Sequence, residues 1–245
     1  MGSNPTISAI FRLGSAKIKL AGSIPALLTK IRVMCHGGNQ TNLLFNFNMK
    51  GDIMPSVFLT SDTHFGHAGV CKFTEADGVT KIRPWTDPEE MDEAMVKMWN
   101  ETVKPTDKVY HLGDVVINRR ALKIMHRLNG DKVLIKGNHD IFRLEEYTPF
   151  FRDIRGSHVM NGMILTHIPV HESNLYRFGT NIHGHTHTNR VTKIDQYGVE
   201  RIDPRYQCVC VEQTDFRPIL FEDVIKRIES EGGTVGFKNG NGPTM

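Results

Sequence analysis

The chain of 245 residues is 39% hydrophobic and 23% charged, which fits one globular α/β or α+β domain with extra terminal residues and excludes a fibrous or wholly disordered protein. Its formal net charge is +3, but residues 1–51 hold six basic residues and no acid, so the other 24 basic and 27 acidic residues carry a net charge of −3. The positive charge therefore gives little support for a nucleic-acid partner of the main domain. The longest apolar runs are too short for a membrane helix or a secretory signal, so we expect no membrane partner.

The ends of the chain differ in composition from its middle. Residues 1–53 are rich in Ser, Asn and Gly, lack acids before Asp52 and show no clean helical or alternating period. We expect an N-terminal extension that is disordered or not part of the fold, with an organelle transit peptide as a further alternative. Residues 54–230 are predicted to form one domain that starts at Met54. Residues 231–245 are Gly-rich and are predicted to form a flexible tail.

Four cysteines are too few and too scattered for a disulfide scaffold in a chain of this length. In a strand, Cys208 and Cys210 would point to the same face. We interpret the cysteines as small buried hydrophobic residues in a reducing compartment, which predicts a cytoplasmic protein.

From Met54 onwards, short apolar strands alternate with helices. The clearest helix is 88–103, with Asp87 as its N-cap and Met91, Met95 and Trp99 along one side. The alternation predicts an α/β fold. In chain order, the predicted elements are strand 57–60, helix 88–103, strand 108–112, helix 119–128, strands 132–136, 158–160, 163–166, 181–183, 191–194 and 206–211, and helix 221–229.

Polar clusters follow nearly every one of these strands. In open α/β sheets, ligands gather beyond the carboxyl ends of the strands, where several loops converge. The side chains in these clusters are imidazoles, carboxylates and an amide, which favour Mn²⁺, Fe or Zn²⁺ over a structural zinc–cysteine site. The clusters are Asp62-Thr63-His64, Gly113-Asp114, Gly137-Asn138-His139-Asp140, Thr166-His167 and Gly184-His185-Thr186-His187.

Seven candidate ligands exceed what one four-coordinate ion needs. With one carboxylate bridging, they suit two ions about 3.5 to 4 Å apart. Glycines 113, 137 and 184 lie next to candidate ligands, where tight turns and close backbone approach are needed. We therefore predict a dinuclear metal site at the carboxyl ends of the strands.

The order Asp-x-His, Gly-Asp, Gly-Asn-His-Asp, His and Gly-His-x-His resembles the calcineurin-like metallophosphoesterase superfamily, from about Val57 to Glu229. The resemblance implies a four-layer sandwich of two mixed β-sheets flanked by helices. It also implies a role for each matching position: Asp62, His64 and His187 as ligands of the first metal, Asn138, His167 and His185 as ligands of the second, Asp114 as the bridging carboxylate, His139 facing the scissile phosphate and Asp140 orienting His139.

The expected activity is hydrolysis of a phosphate ester by a metal-bridging hydroxide. Two divalent ions, Mn²⁺ first and Zn²⁺, Fe or Ni²⁺ as alternatives, would lower the pKa of a bridging water and clamp the phosphoryl oxygens. The substrate would be a small phosphomonoester or phosphodiester, with nucleotide-derived esters among the candidates. His67 and Arg119 are candidate substrate contacts; a loop hydrogen bond and a solvated helix start are the respective alternatives.

Three other functions are possible for a chain with these motifs: a protein phosphatase, a nuclease and a non-catalytic scaffold. The Ser/Thr protein phosphatases of the superfamily continue Gly-Asp-x-Val with Asp-Arg-Gly, whereas this chain continues with Ile117-Asn118-Arg119, which argues against a protein phosphatase. A metal-dependent nuclease is an alternative, although the mildly acidic domain shows no basic stripe with interleaved aromatics. A non-catalytic scaffold of the same fold is another. The motifs leave the substrate and the oligomeric state open.

Overall fold

The computed structural model describes residues 54–237 in full, together with the backbone of four strands before them. The chain divides into two compact units, residues 1–55 and 56–245. The first unit contains two antiparallel hairpins, each made of two successive strands: β1 (Thr6–Leu13), β2 (Ala16–Ser23), β3 (Thr29–Met34) and β4 (Gln40–Phe45).

These strands lie in residues 1–53, where the sequence showed no clean helical or alternating period of hydrophobic residues. The proposed roles of residues 1–53 and 231–245 stay predictions. Residues 1–5, 14–15, 24–28, 35–39, 46–53 and 238–245 are outside the described part of the chain.

The second unit is built around a five-stranded mixed sheet in the order β15-β5-β6-β7-β8. Four neighbouring strands are parallel and β15 is antiparallel to β5. The inner strands are short apolar runs buried on both faces, as is usual for parallel strands with covered faces. The strands of this sheet are β5 (Val57–Thr60), β6 (Lys108–His111), β7 (Asp131–Ile135), β8 (Asp153–Arg155) and β15 (Ile219–Leu220).

A second mixed sheet has four strands in the order β14-β11-β10-β9. Three of them are parallel, and β9 pairs antiparallel with β10. A separate exposed hairpin is formed by β12 and β13. The strands are β9 (His158–Met160), β10 (Met163–Leu165), β11 (Asn181–His183), β12 (Thr192–Ile194), β13 (Glu200–Ile202) and β14 (Tyr206–Cys208).

Helix α1 (Pro88–Thr102) begins as the sequence predicts. The Asp87 carboxylate accepts a hydrogen bond from the Glu90 amide at 2.9 Å, and Pro88 occupies the first turn. The other helices are α2 (Leu144–Tyr147) and α3 (Phe221–Ser230), with 3₁₀ helices at Val70–Lys72, Arg119–Arg127, Glu172–Tyr176 and Val211–Gln213. Within residues 54–237 and the four strands before them, we find no helix with the length and apolar content needed to span a membrane.

Two buried clusters cover the two faces of the five-stranded sheet. On one face, Phe58, Val109 and Leu134 pack with α1 and with the 3₁₀ helix Arg119–Arg127. On the other face, Leu59, Tyr110, Val133 and Ile135 share a cluster with residues of the second sheet, Met163, Leu165 and Ile182, and with α3. Because successive side chains along β5, β6 and β7 point to opposite faces, helices pack against one face of the sheet and the second sheet packs against the other.

Most predicted elements are confirmed, with three kinds of difference. The helix predicted at 119–128 is a 3₁₀ helix, because the Ala121 amide already bonds to the carbonyl of Asn118 three residues earlier. The strand predicted at 206–211 ends at Cys208, and Cys210 forms an isolated bridge with Ser61, which directly follows β5 of the other sheet. Short elements without a strong pattern were missed, namely β8, β13, β15 and α2.

We predict that a chain beginning at Met54 folds as stably as the full chain. Among the residues whose burial the structure describes, both buried clusters consist of residues from Val57 onwards, and the second compact unit begins at residue 56. Thermal unfolding of the two chains, followed by circular dichroism, checks this. Aggregation of the shorter chain, or loss of its cooperative transition, would show that the first unit is required.

Candidate metal centre

The loops that leave five strands bring the predicted ligands together. Asp62 and His64 follow β5, Asp114 follows β6, and Asn138 follows β7. His167 follows β10 in the second sheet, and His185 and His187 follow β11. The site therefore lies where the carboxyl ends of the parallel strands in both sheets meet.

The first group of ligands consists of Asp62, His64 and His187, whose potential ligand atoms all lie within 4.8 Å of one another. The Nε2 atoms of His64 and His187 lie 3.7 and 3.8 Å from Oδ1 of Asp62. The two imidazole rings are stacked with their centroids 5.3 Å apart. We call this group the first triad.

The second triad consists of Asp114, His167 and His185, with ligand atoms that also lie within 4.8 Å of one another. Asn138 joins it, because its Oδ1 is 2.8 Å from Nε2 of His167. Oδ2 of Asp114 lies 3.4 Å from Nε2 of His167 and 3.8 Å from Nε2 of His64. Asp114 thus reaches both triads, which is the position that a bridging carboxylate requires.

The polar atoms of the first triad fit a bound cation. Oδ2 of Asp62 accepts hydrogen bonds from Ser61 Oγ at 2.6 Å and from the His185 amide at 2.8 Å. Oδ1 is buried and has no hydrogen-bond partner among residues 54–237. An uncompensated buried carboxylate oxygen is costly, and a divalent ion between Asp62 and the two imidazoles would satisfy it.

The electrostatics of the site keep its carboxylates ionised. Burial alone would raise the pKa of Asp62, but contacts with the neighbouring imidazoles, His64 first, outweigh burial and hold that pKa below its ordinary value. Burial would raise the pKa of Asp114 as well, but the neighbouring imidazole of His167 outweighs burial and lowers that pKa. Both side chains are therefore in the form that binds cations.

The backbone at the site is strained. Five of the candidate ligands have positive φ angles between 48° and 70°, a region that non-glycine residues rarely adopt. Such conformations cost of order 1–3 kcal/mol each and are typical of functional sites. The five residues are Asp62, His64, Asp114, His185 and His187.

Two glycines allow the loops to approach closely. A Cβ atom at Gly184 would collide with the Ser61 hydroxyl and lie 2.5 Å from Oδ2 of Asp62. A Cβ atom at Gly137 would collide with Oδ1 of Asp114. The expected need for close backbone approach at these positions is confirmed.

Asp140 contacts different groups from those predicted. Its two carboxylate oxygens accept hydrogen bonds from the amides of Asp114, Val115 and Gly137 at 2.8 to 3.0 Å. Within residues 54–237 no hydrogen bond joins it to the ring of His139. The predicted role in orienting His139 is therefore corrected: Asp140 ties the loop after β7 to the loop after β6, because three backbone donors compete successfully for its oxygens.

His139 itself is exposed beside the triads. Its amide donates to Oδ1 of Asp114 at 2.9 Å, and its ring centroid lies 5.7 Å from that of His64. The ring belongs to neither triad. The imidazole of His139 is thus exposed to solvent next to two groups of candidate ligands.

Of the two candidate substrate contacts, only His67 lies near a triad. Its ring is half-buried, 5.6 Å from that of His64, and Nδ1 lacks a hydrogen-bond partner among the described residues. Burial first, and then the charge of His64, lowers the pKa of His67 to about 4. Arg119 instead pairs with Glu146 at 2.5 Å and packs over the ring of Phe142, so its guanidinium is already engaged by neighbouring side chains.

Sequence reasoning missed two buried charged residues at the first triad, Arg83 and Glu212. Arg83 donates to the carbonyl oxygens of Asp62 and Thr63, and Glu212 accepts from Nδ1 of His187. Arg83 lies in a predicted loop without a recognisable pattern. Glu212 offered the stronger signal, since it directly follows the strand predicted at 206–211, and the other clusters also follow predicted strands.

No protein-family model matches the chain. Over 186 residues the chain is 33% identical to the uncharacterised protein MJ1445 of Methanocaldococcus jannaschii, and the match covers 72% of this chain and 93% of the archaeal protein. The chain belongs to the family of this archaeal protein. This family relationship extends over almost the whole length of the archaeal relative.

Two further similarities are partial or limited to the fold. The Gene 66 protein of Mycobacterium phage D29 is 35% identical over 92 residues, which cover 36% of this chain and 41% of the phage protein. The crystal structure of the protein of unknown function AQ665 from Aquifex aeolicus covers 70% of this chain and 98% of that protein, with a TM-score of 0.52 and 23% identity. The similarity to the AQ665 structure shows a shared fold alone.

We predict that Gly184→Ala disturbs the first triad. The added methyl would force the side chains of Ser61 and Asp62 away from residue 184. Overpacking of this kind costs about 1–3 kcal/mol. Thermal unfolding will show a lower melting temperature, and calorimetric titration of the metal-free protein will show weaker Mn²⁺ binding. Gly156→Ala is the matched control, since a Cβ atom there has no neighbour within 4 Å; equal effects of both substitutions would contradict the prediction.

Proposed function

We propose that this chain is a two-metal phosphoesterase of the calcineurin-like metallophosphoesterase superfamily that hydrolyses a small phosphomonoester or phosphodiester. The main support is the arrangement of Asp114, whose Oδ2 lies 3.4 and 3.8 Å from imidazoles of the two triads. One carboxylate between two groups of nitrogen and oxygen donors suits a pair of divalent ions. Nucleotide-derived esters are the first substrates to test.

The proposal includes the finer architecture, a four-layer sandwich with a dinuclear site. Its support is the pair of mixed sheets that share one buried cluster, with α1 on the outer face of the five-stranded sheet. It also includes a cytoplasmic location, for which the support is that Cys71, Cys208 and Cys210 are free and buried.

The proposed metals are two divalent ions, with Mn²⁺ first and Zn²⁺, Fe or Ni²⁺ as alternatives, because the donors are carboxylate, amide and imidazole without thiolate. When bound, such ions lower the pKa of water and neutralise charge on the phosphoryl oxygens. The first triad would hold one ion, and His167, His185 and Asn138 would hold the other. Asp114 would contact both ions.

Three residues beside the candidate ligands would each have a separate role. His139 is exposed beside the triads and, as an imidazolium, would donate a proton to the leaving oxygen and become a neutral imidazole, a role worth about 10²- to 10⁴-fold in rate. Asp140 would hold the loop of His139 in place through its three backbone contacts. His67, held neutral by its low pKa, would offer a hydrogen bond to the ester.

The first experiment loads metal-free protein with Mn²⁺, Zn²⁺ or Mg²⁺ and measures hydrolysis of a generic phosphomonoester, a generic phosphodiester, and 2′,3′- and 3′,5′-cyclic nucleotides. We expect hydrolysis of at least one ester, highest with Mn²⁺ and abolished by EDTA. Metal binding without hydrolysis of any ester would favour a scaffold. Cleavage of single-stranded DNA with a steep salt dependence would favour a nuclease.

We further predict that Asp114→Ala abolishes metal-dependent hydrolysis, because both ions lose a shared ligand. His139→Ala should retain two metal equivalents and lose about 10²- to 10⁴-fold in kcat. Metal content by plasma mass spectrometry and steady-state kinetics check both variants, with His126→Ala as control, because His126 is exposed and belongs to neither triad. Loss of a metal equivalent in His139→Ala would contradict the role given to His139.

A further inference from the structure

A buried ion pair outside the predicted ligands contacts the first triad. Arg83 and Glu212 are 129 residues apart in the chain, and their side chains are 0% and 1% exposed. Oε1 of Glu212 accepts hydrogen bonds from Nη2 of Arg83 at 2.6 Å and from Nε at 2.8 Å. Two charges of opposite sign are thus buried together, and removal of either would leave the other unpaired.

Glu212 determines which nitrogen of His187 faces Asp62. Its Oε1 lies 2.9 Å from Nδ1 of His187, and a carboxylate accepts, so Nδ1 carries the proton. In the neutral ring, Nε2 then carries the lone pair that could bind a metal, and it lies 3.8 Å from Oδ1 of Asp62. A carboxylate behind an imidazole fixes the tautomer and ring orientation and strengthens the imidazole as a metal ligand.

Arg83 holds the loop that carries the other members of the first triad. Its Nη2 donates to the carbonyl oxygen of Asp62 at 2.6 Å, and its Nη1 donates to the carbonyl oxygen of Thr63 at 2.8 Å. The planar guanidinium therefore connects two main-chain carbonyls to Glu212 in a fixed geometry. The loop of Asp62 and His64 and the ring of His187 are positioned by the same buried pair.

The second triad is positioned differently. Nδ1 of His167 donates to the main-chain carbonyl of Leu112 at 2.7 Å, so a neutral carbonyl lies behind this ring where Glu212 lies behind His187. A substitution at Glu212 should therefore affect one triad and spare the other.

We propose that Glu212 and Arg83 are positioning residues that set the metal affinity of the first triad. This inference rests on the proposed two-metal site. Glu212 acts through His187, and Arg83 acts through Glu212 and through the carbonyls of Asp62 and Thr63. Neither side chain is a metal ligand.

The test is calorimetric titration of the full metal-free chain with Zn²⁺ and with Mn²⁺. The wild-type chain should bind two equivalents. Glu212→Gln should weaken one equivalent by about 10- to 100-fold and leave the other unchanged. Glu231→Gln is the matched control, because Glu231 also pairs with an arginine, Arg190, at 2.7 Å but contacts neither triad; both equivalents should keep their affinity.

A double-mutant cycle separates positioning from general stabilisation. In the His187→Ala background, Glu212→Gln should change metal affinity little, because the ring on which it acts is gone. The inference is overturned if Glu212→Gln lowers the melting temperature while both equivalents keep wild-type affinity, or if it weakens binding equally in both backgrounds.

A measurement on the wild-type chain covers the case in which Glu212→Gln does not fold. Long-range ¹H–¹⁵N correlation spectra, assigned with His187→Ala, should show His187 protonated at Nδ1 with and without Zn²⁺. A neutral His187 ring that is protonated at Nε2 and not at Nδ1 overturns the inference.

Failure of the inference is distinguishable from failure of the proposed function. No substrate is needed for these measurements, so a wild-type chain that hydrolyses no ester overturns the phosphoesterase activity and leaves the positioning role in place. Unchanged affinities in Glu212→Gln overturn the positioning role and leave the activity. A wild-type chain that binds no metal overturns both.

Discussion

The structure of the site depends on a buried carboxylate, that of Asp62. One of its oxygens is held by the Ser61 hydroxyl and the His185 amide, while the other has no hydrogen-bond partner among the residues that the structure describes. Burial of an ionised carboxylate is unfavourable unless its charge is compensated. The surrounding imidazoles supply part of this compensation, as the lowered pKa of Asp62 shows, and a cation between them would supply the rest.

Several features of the chain bring the candidate metal ligands to this position. Backbone strain is concentrated at five candidate ligands, and the loops are tied to one another by Asp140 and by the Arg83–Glu212 pair. The segment after β14 also joins the two sheets, since the Val209 amide bonds to His183 and the Val211 amide bonds to Ser61. Such strain persists only where the surrounding structure holds it, and here the strands from which the loops leave are packed in the two buried clusters.

Much of the fold could be predicted from local patterns. The apolar runs at β5, β6 and β7 and the capped helix after Asp87 were predicted within one or two residues, because burial on both faces and N-capping leave direct signatures in sequence. The 3₁₀ form of the helix after Asn118 and the early end of β14 were not predictable, because both depend on hydrogen bonds chosen during packing.

The same division applies to the candidate site. The sequence by itself determined which residues could bind metal, since imidazole, carboxylate and amide groups follow successive strands whose carboxyl ends must converge. Only the tertiary structure decided that Asp114 lies between two triads, that Asp140 binds backbone amides rather than His139, and that Arg83 meets Glu212 behind His187. The physical reason is range: strand and loop patterns are set by near neighbours in the chain, whereas a buried ion pair between residues 129 positions apart exists only once both sheets have packed.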